Sequence, residues 1–262
     1  MHTKTAQYHC LRQEKQNHVY QQELLVVERA LQIMVNFKEF SITMQTPGDE
    51  RYLVRGLLHA EGFNHSEFKS YTQKEETFGT IVSVEVACKK PILNIRTLSS
   101  TSSCGLCGKK SLNNLFDSIV PVQTDHFINA EMIADQYQSI AKLQDIFSKT
   151  GGCHAASALN TEGEVLCVFE DIGRHNAVDK VIGYLLENDL LTQAKVLTVS
   201  GRVSFEIIQK CARAQIPILT AISAPSSLAI EMAEKANITL AAFCRDKRAT
   251  FYSGLHRVDY VL

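Results

Sequence analysis

Two thiols pose the first chemical question. Cys104-Gly105-Leu106-Cys107 lies in a small, polar, glycine-bearing stretch, LSSTSSCGLCGKK over residues 98–110. A CxxC has three usual chemistries: zinc binding, dithiol redox exchange, or a nucleophilic thiolate. Structural zinc takes four ligands, and the chain has no second CxxC and no HxxxH. Cys153-His154 could add two, but adjacent ligands fit a tetrahedron awkwardly. No metal site is expected. A thioredoxin-like pair should follow a strand and open a helix, whereas this one sits in a Ser/Gly loop after a β-rich half. A mobile loop with an exposed thiolate suits a carrier that visits two partners. Glycines beside each sulfur leave room for a bulky partner, and Lys109 and Lys110 favour the thiolate. The plain alternative is a pair of incidental loop cysteines. Of the eight cysteines, Cys167 in an apolar run and Cys211 in a helical pattern read as small core residues.

A second set of residues could hold an anion. Four apolar strand segments end unusually. Phe169 is followed by Glu170-Asp171-Ile172-Gly173-Arg174-His175-Asn176, and Val199 by Ser200-Gly201-Arg202. Ile222 is followed by Ser223-Ala224-Pro225-Ser226, and Phe243 by Cys244-Arg245-Asp246-Lys247-Arg248. In open α/β sheets, ligands sit beyond the carboxyl ends of strands, where helix N-termini converge. If these strands are mostly parallel, Arg174, Arg202 and Arg245 meet along one edge. Three fork-shaped cations there suit a phosphate-bearing ligand. Any one arginine could instead pair with an acid such as Asp171 or Glu206. The recurrence at strand ends favours the ligand. Gly151-Gly152-Cys153-His154-Ala155-Ala156 resembles the start of a zinc-deaminase motif, but Ala156 stands where the glutamate belongs and no PCxxC follows. His154 and His175 remain candidates to line a site.

These residues need elements to place them. The 262 residues are 45% hydrophobic, enough for one large domain or two modest ones. Lys plus Arg is 27 and Asp plus Glu is 28, a balance that does not suggest a general nucleic-acid binder. The polar start shows no secretory h-region and no apolar run approaches a membrane span, so a cytoplasmic chain with reduced thiols is expected, with no membrane partner. Residues 1–22 read as a flexible arm by composition. Leu31, Ile33, Val35 and Phe37, then Phe40, Ile42 and Met44, alternate as antiparallel strands joined near Lys38. A helix over residues 51–60 and strands over 82–86 and 92–98 follow. Residues 23–121 then form a β-rich N-terminal domain that ends with the CxxC loop, and the boundary falls near Pro121.

In the second half, Ile133, Tyr137, Ile140, Leu143 and Phe147 share a helical face behind an Asn129 N-cap, and Gly151-Gly152 ends that helix. Strands at 165–169, 196–199, 216–222 and 238–243 alternate with helices using Val178–Leu185, 205–212 and 227–236. Continuous apolar strands between amphipathic helices argue for a sheet covered on both faces. Residues 122–262 form this α/β domain. The class is α/β, or α+β overall.

At this point the residues resemble a known family. SSCGLCG, GGCHAA, EDIGRHNAVDKVIG, SGRVSFEIIQK, SAPSSLAIEMA and ITLAAFCR are similar to segments of the formate dehydrogenase accessory sulfurtransferases, the FdhD family, in order from about Glu28 to Tyr252. MQTPGDE and LLHAEGF add to the likeness in the first half. The resemblance implies a sulfur carrier that takes sulfur as a persulfide from a cysteine desulfurase. It passes the sulfur to the bis-molybdopterin guanine dinucleotide cofactor, of molybdenum or tungsten, before insertion into formate dehydrogenase. It implies a three-layer, cytidine-deaminase-like larger domain without zinc, and a homodimer. By position, Cys104 matches the persulfide cysteine and Cys107 its companion. Phe243, Cys244, Arg245, Asp246, Lys247 and Arg248 match the cofactor-binding stretch, with Lys247 where glycine is expected. Arg174, His175, Arg202 and His154 complete the expected wall around the cofactor's guanine-nucleotide end. The rivals are a zinc nucleobase deaminase and a non-catalytic chaperone for the cofactor or apo-enzyme.

Overall fold

The computed structural model describes residues 3–15, 17–87, 120–123 and 128–259. The expected strand at 92–98, the boundary stretch before residue 120, and Cys104 and Cys107 lie outside them.

The N-terminal sheet has the order β4-β3-β6-β5, from β3 (Arg29–Val35), β4 (Lys38–Gln45), β5 (Phe68–Glu76) and β6 (Gly79–Val86). Its central pair, β3 and β6, is parallel, and β4 and β5 flank it antiparallel. The period-two pattern is realised where Leu31, Ile33, Val35, Val82, Val84 and Val86 all point into one core. Helix α1 (Glu50–Ala60) supplies Leu53, Val54, Leu57 and Leu58 to the same core. The β3–β4 turn differs from the expectation. Asn36 and Phe37 both take positive φ, 48° and 64°, the pattern of a two-residue hairpin turn, and Phe37 is 83% exposed instead of continuing the strand.

The second unit is a six-stranded sheet, order β13-β12-β11-β10-β8-β9. Its strands are β8 (His154–Leu159), β9 (Val165–Asp171), β10 (Val196–Val199), β11 (Ile218–Ala221), β12 (Thr239–Arg245) and β13 (Arg248–Ser253). Helices α4 (Arg174–Glu187), α5 (Phe205–Arg213) and α6 (Ser227–Lys235) cover one face, through Val178, Ile182, Ile208, Cys211 and Met232. Helix α2 (Ala130–Ala141) covers the other through Ile133 and Ile140. This is the expected three-layer arrangement. A short strand pair, β7 (Ile128–Asn129) with β14 (Val258–Asp259), closes the chain's end onto α2.

Strand direction decides where the site lies. β10, β11 and β12 are mutually parallel, and β8 is antiparallel to both β10 and β9. β9 therefore runs with β10–β12. The carboxyl ends of all four, and the start of β8, share one edge.

Three expectations are corrected. Residues 5–26 form a two-stranded ribbon, β1 (Thr5–Glu14) with β2 (Asn17–Val26), where composition suggested an arm. The ten cross-strand pairs satisfy backbone groups that a polar composition leaves unnoticed. The helix expected to run through Phe147 ends at Ala141, and a separate α3 spans Asp145–Thr150. The Glu170 carboxylate causes the restart: it accepts from the Ile146 and Phe147 amides at 2.8 and 2.7 Å, capping α3. The Asn129 cap holds, its side chain accepting from the Glu131 amide. Finally, β5, β8 and β13 are strands that the sequence reading left out. β8 reads HAASAL, alanine-rich and weak in strand propensity, yet it is paired on both sides, between β10 and β9.

The two units meet where α1 crosses α4. A β-carbon on Gly56 would lie 2.0 Å from the Asp179 carbonyl oxygen, and one on Gly183 would lie 1.8 Å from that of Tyr52. Only glycine lets these backbones approach so closely. Arg55, buried at the crossing, pairs with Glu187 at 2.6 Å.

Candidate functional site

Strand β9 ends in a buried anchor. Asp171 and Lys180, both fully buried, pair at 2.8 Å. The Thr46 amide and the Asn176 side chain also donate to Asp171, at 3.1 and 3.0 Å. Lys180 also donates to the Thr46 carbonyl at 2.7 Å, and Asn176 to that of Met44 at 2.7 Å. In this way TPGD from the N-terminal unit and EDIGRHNAVDK from the second unit form one polar knot. It fixes the turn Ile172-Gly173, which launches α4 with Arg174 and His175 in its first turn. From the sequence, Asp171 reads as a possible arginine partner and Thr46 as the start of a turn into α1, while Asn176 and Lys180 carry no role. The polar types of Asn176 and Lys180 on an otherwise apolar helix face were the available signal.

Arg174, Arg202 and His154 converge above this turn. His154 opens β8, opposite Asp171 in register. Its Nδ1 lies 3.5 Å from the Ser200 hydroxyl, which accepts from the Ala155 amide at 2.9 Å. Gly201 makes the convergence possible. A β-carbon there would press to 3.2 Å from Arg174 Cδ and 3.4 Å from His154 Nδ1. Burial holds the His154 imidazole below its ordinary pKa, and the Arg174 and Arg202 charges lower it further. Arg174 is itself lowered, by burial first and Arg202 second, against the opposing pull of Glu206. Its Nε is buried and makes no hydrogen bond. Two cations that repel one another, beside an imidazole they hold toward its neutral form and around an unused donor, make a site that an anion would relieve. His175 sits beside them, its Nε2 3.1 Å from the Ser204 hydroxyl and 3.3 Å from Glu206.

The stretch at residues 243–248 is a hairpin tip at the same edge. β12 and β13 pair Arg245 with Arg248, and Asp246 and Lys247 make the two-residue turn at φ 52° and 57°. Lys247 thus takes the left-handed conformation that glycine would supply freely. Phe243 also has positive φ, 54°, at a bulge in the pairing, and is 40% exposed. Arg245, Asp246, Lys247 and Arg248 are exposed. Cys244 differs from its neighbours: it is 2% exposed and faces the core with Ile133 and Ala241. Along the edge, β12 lies two strand spacings from β10, roughly 10 Å. An extended ligand with anions along its length could reach both the tip and the arginine pair.

The thiols of Cys153, Cys167, Cys211 and Cys244 are poor nucleophiles. Burial pushes Cys153 and Cys167 up to about 12 and Cys244 up to about 11, and it raises Cys211 as well. Cys153 also faces Glu170 at 3.3 Å. Among the described residues, no group of three or more His, Cys, Asp or Glu is placed to hold a metal ion. No described helix is long and apolar enough to cross a membrane.

A known structure shares this fold. A crystal structure designated a formate dehydrogenase accessory protein, from Desulfotalea psychrophila, covers 98% of this chain and is itself covered completely, with a TM-score of 0.79 at 21% identity. At that identity it establishes the fold. Sequence relatives go further. The sulfur carrier protein FdhD of Nocardia farcinica is 38% identical over 98% of this chain and 96% of its own length. That of Mycobacterium tuberculosis is 40% identical over 90% and 92%, and that of Saccharolobus solfataricus 39% over 90% and 91%. The model of the FdhD/NarQ family matches residues 26–259, from the end of the ribbon to the last strand. With that span matched and relatives this similar over more than nine tenths of their lengths, the chain belongs to the FdhD/NarQ family.

Proposed function

We propose that this protein is a sulfur carrier in the maturation of formate dehydrogenase, working through a persulfide on Cys104. The relatives bear the name of sulfur carrier, and burial raises the thiols of Cys153, Cys167, Cys211 and Cys244, which makes them poor carriers. The CxxC, with glycines beside its sulfurs and Lys109 and Lys110 after it, is the better chemistry. The Cys104 thiolate attacks the outer sulfur of a desulfurase persulfide. A new sulfur–sulfur bond forms on Cys104, the old one breaks, and the desulfurase cysteine leaves as thiolate. The outer sulfur of the new persulfide is acidic and therefore an anionic nucleophile at neutral pH. Where Cys107 resolves the persulfide, its thiolate attacks the inner sulfur of Cys104 and a Cys104–Cys107 disulfide forms. The outer sulfur leaves as sulfide for the molybdenum or tungsten of the bis-molybdopterin guanine dinucleotide, the substrate of the transfer. A cellular thiol reductant then restores both thiols. In the alternative, Cys107 receives the outer sulfur second, by the same exchange that loaded Cys104.

The observation that carries the cofactor half of this reading is the Arg174–Arg202–His154 convergence with its unused Arg174 Nε. These residues suit one phosphate group of the ligand. The hairpin tip at Phe243–Lys247 suits its more distant nucleotide end, with Arg245, Lys247 and Arg248 supplying charge. A homodimer and a cytoplasmic location complete the proposal.

Mass spectrometry after incubation with a cysteine desulfurase and cysteine tests it. One added sulfur on Cys104 is expected, absent from Cys104→Ala. Sulfur on another residue, or none, removes the carrier mechanism and leaves a cofactor-binding chaperone.

A further inference from the structure

The N-terminal unit takes part in the anion site from a distance. Helix α4 starts at Arg174 behind Gly173, a cap with no side chain to hold the turn. The turn is held from outside. Asp171 accepts from the Gly173 amide at 2.8 Å, and the Ile172 amide donates to the Thr46 hydroxyl at 3.1 Å. Thr46 is fully buried and stands 126 positions earlier, just past the end of β4. Its other polar atoms fasten the same region. The Thr46 amide donates to Asp171 at 3.1 Å, and its carbonyl accepts from Lys180 at 2.7 Å. Asn176 closes the ring, and a β-carbon on Gly173 would come within 2.9 Å of its side-chain nitrogen. Every polar group of Thr46 is thus spent on the end of β9 and the start of α4.

What this turn carries is Arg174. The arginine lies against bare backbone: a β-carbon on Gly201 would sit 3.3 Å from Arg174 Cβ and 3.2 Å from its Cδ. Its buried Nε makes no hydrogen bond. The place of the guanidinium therefore follows from that wall and from where the turn sets the Arg174 backbone. A binding side chain needs its support fixed to roughly 0.5 Å. Without the Thr46 hydroxyl, the Ile172 amide would lose its partner, and the turn would shift to find another.

We propose that Thr46 is a positioning residue of the anion site: its hydroxyl, acting through the Ile172 amide, sets where Arg174 meets a phosphate-bearing ligand. This rests on the reading of Arg174 and Arg202 as anion ligands. The effect is reciprocal: an anion that needs the turn in place also tightens the hold of the first unit on the second.

Calorimetric titration of guanosine diphosphate into a double-mutant cycle of the full chain tests it. Thr46→Val keeps the shape and the backbone contacts and removes the hydroxyl. It should weaken the ligand by about tenfold. Thr46→Ser keeps a hydroxyl and should bind within about twofold of wild type. With Arg174→Ala already in place, Thr46→Val should cost less than about twofold, because Thr46 acts through Arg174. A merely structural Thr46 would lower the denaturation midpoint and leave the affinity of the folded protein unchanged. If Thr46→Val fails to fold, hydrogen exchange on the wild type decides instead: the Thr46 and Ile172 amides should exchange more slowly with the ligand bound. Unchanged affinity in Thr46→Val overturns the proposal. So do equal losses with and without Arg174, a Thr46→Ser variant as weak as Thr46→Val, or exchange at both amides that ignores the ligand. A wild type that binds no guanosine diphosphate removes the anion site itself, and the proposal with it.

Discussion

At the scale of single residues, the arginine pair gives the sharpest expectation. Arg174→Ala should weaken guanosine diphosphate, a fragment of the proposed cofactor, by roughly tenfold to a hundredfold, the loss of one charge-assisted contact. Arg245→Ala should act more weakly and lose its effect in salt, because its surroundings are exposed. Calorimetric titration at two salt concentrations reads both, and equal affinity in wild type and Arg174→Ala would take Arg174 out of the site. His154 makes a pH prediction. Its folded pKa lies below the unfolded value of about 6.5, so above that pH the imidazole is neutral in both states and carries no penalty. As pH falls through about 6.5, the unfolded chain takes the proton first, and stability declines. His59, also lowered by burial, acts in the same direction. Denaturant midpoints measured from pH 7.5 down to about pH 5 should fall less steeply in His154→Gln than in wild type. These site residues were legible in the sequence because charge recurred after apolar runs. Gly201 was read only as a neighbour of Arg202, since a missing side chain shows its purpose only when another element fills the space.

At the scale of elements, the α1–α4 crossing should be the least tolerant place in the fold. Gly56→Ala or Gly183→Ala drives a methyl into backbone that cannot move aside, at a cost of roughly 2–4 kcal/mol. Gly151→Ala is the control: nothing lies within 4 Å of its β-carbon position, and only its φ of 63° resists, at about 1 kcal/mol. Urea unfolding compares the three, and equal losses would mean that the crossing is not close-packed. Helices and apolar strands of the second half were readable because their periods matched their burial. β8 was not, because its alanines and serine are chosen for a crowded position paired on both sides and not for strand propensity. The split between α2 and α3 was hidden too, as its cause, Glu170, stands on another strand.

At the scale of the whole molecule, Asp171 and Lys180 join the two units through Thr46. Removing one partner of a buried pair leaves the other uncompensated. Lys180→Met should therefore destabilise the protein by about 3–5 kcal/mol, even though the Thr46 and Gly173 amides and Asn176 still donate to Asp171. Thermal unfolding of the variant measures it, and an unchanged transition would show that the knot is dispensable. The division into a β-rich first unit and a layered second one could be read from the change in hydrophobic pattern. The knot could not, because its members stand more than a hundred positions apart, in two motifs that look independent.

The glycine crossing also bears on how the chain is made. α1 is complete at Ala60, but the helix it needs to lie against ends at Glu187. At the usual pace of synthesis the interval is roughly ten seconds. Throughout it the nascent N-terminal unit carries a bare groove cut to receive another backbone. A ribosome stalled before α4 should therefore present a chain that chaperones hold, and one stalled after α4 a chain they release.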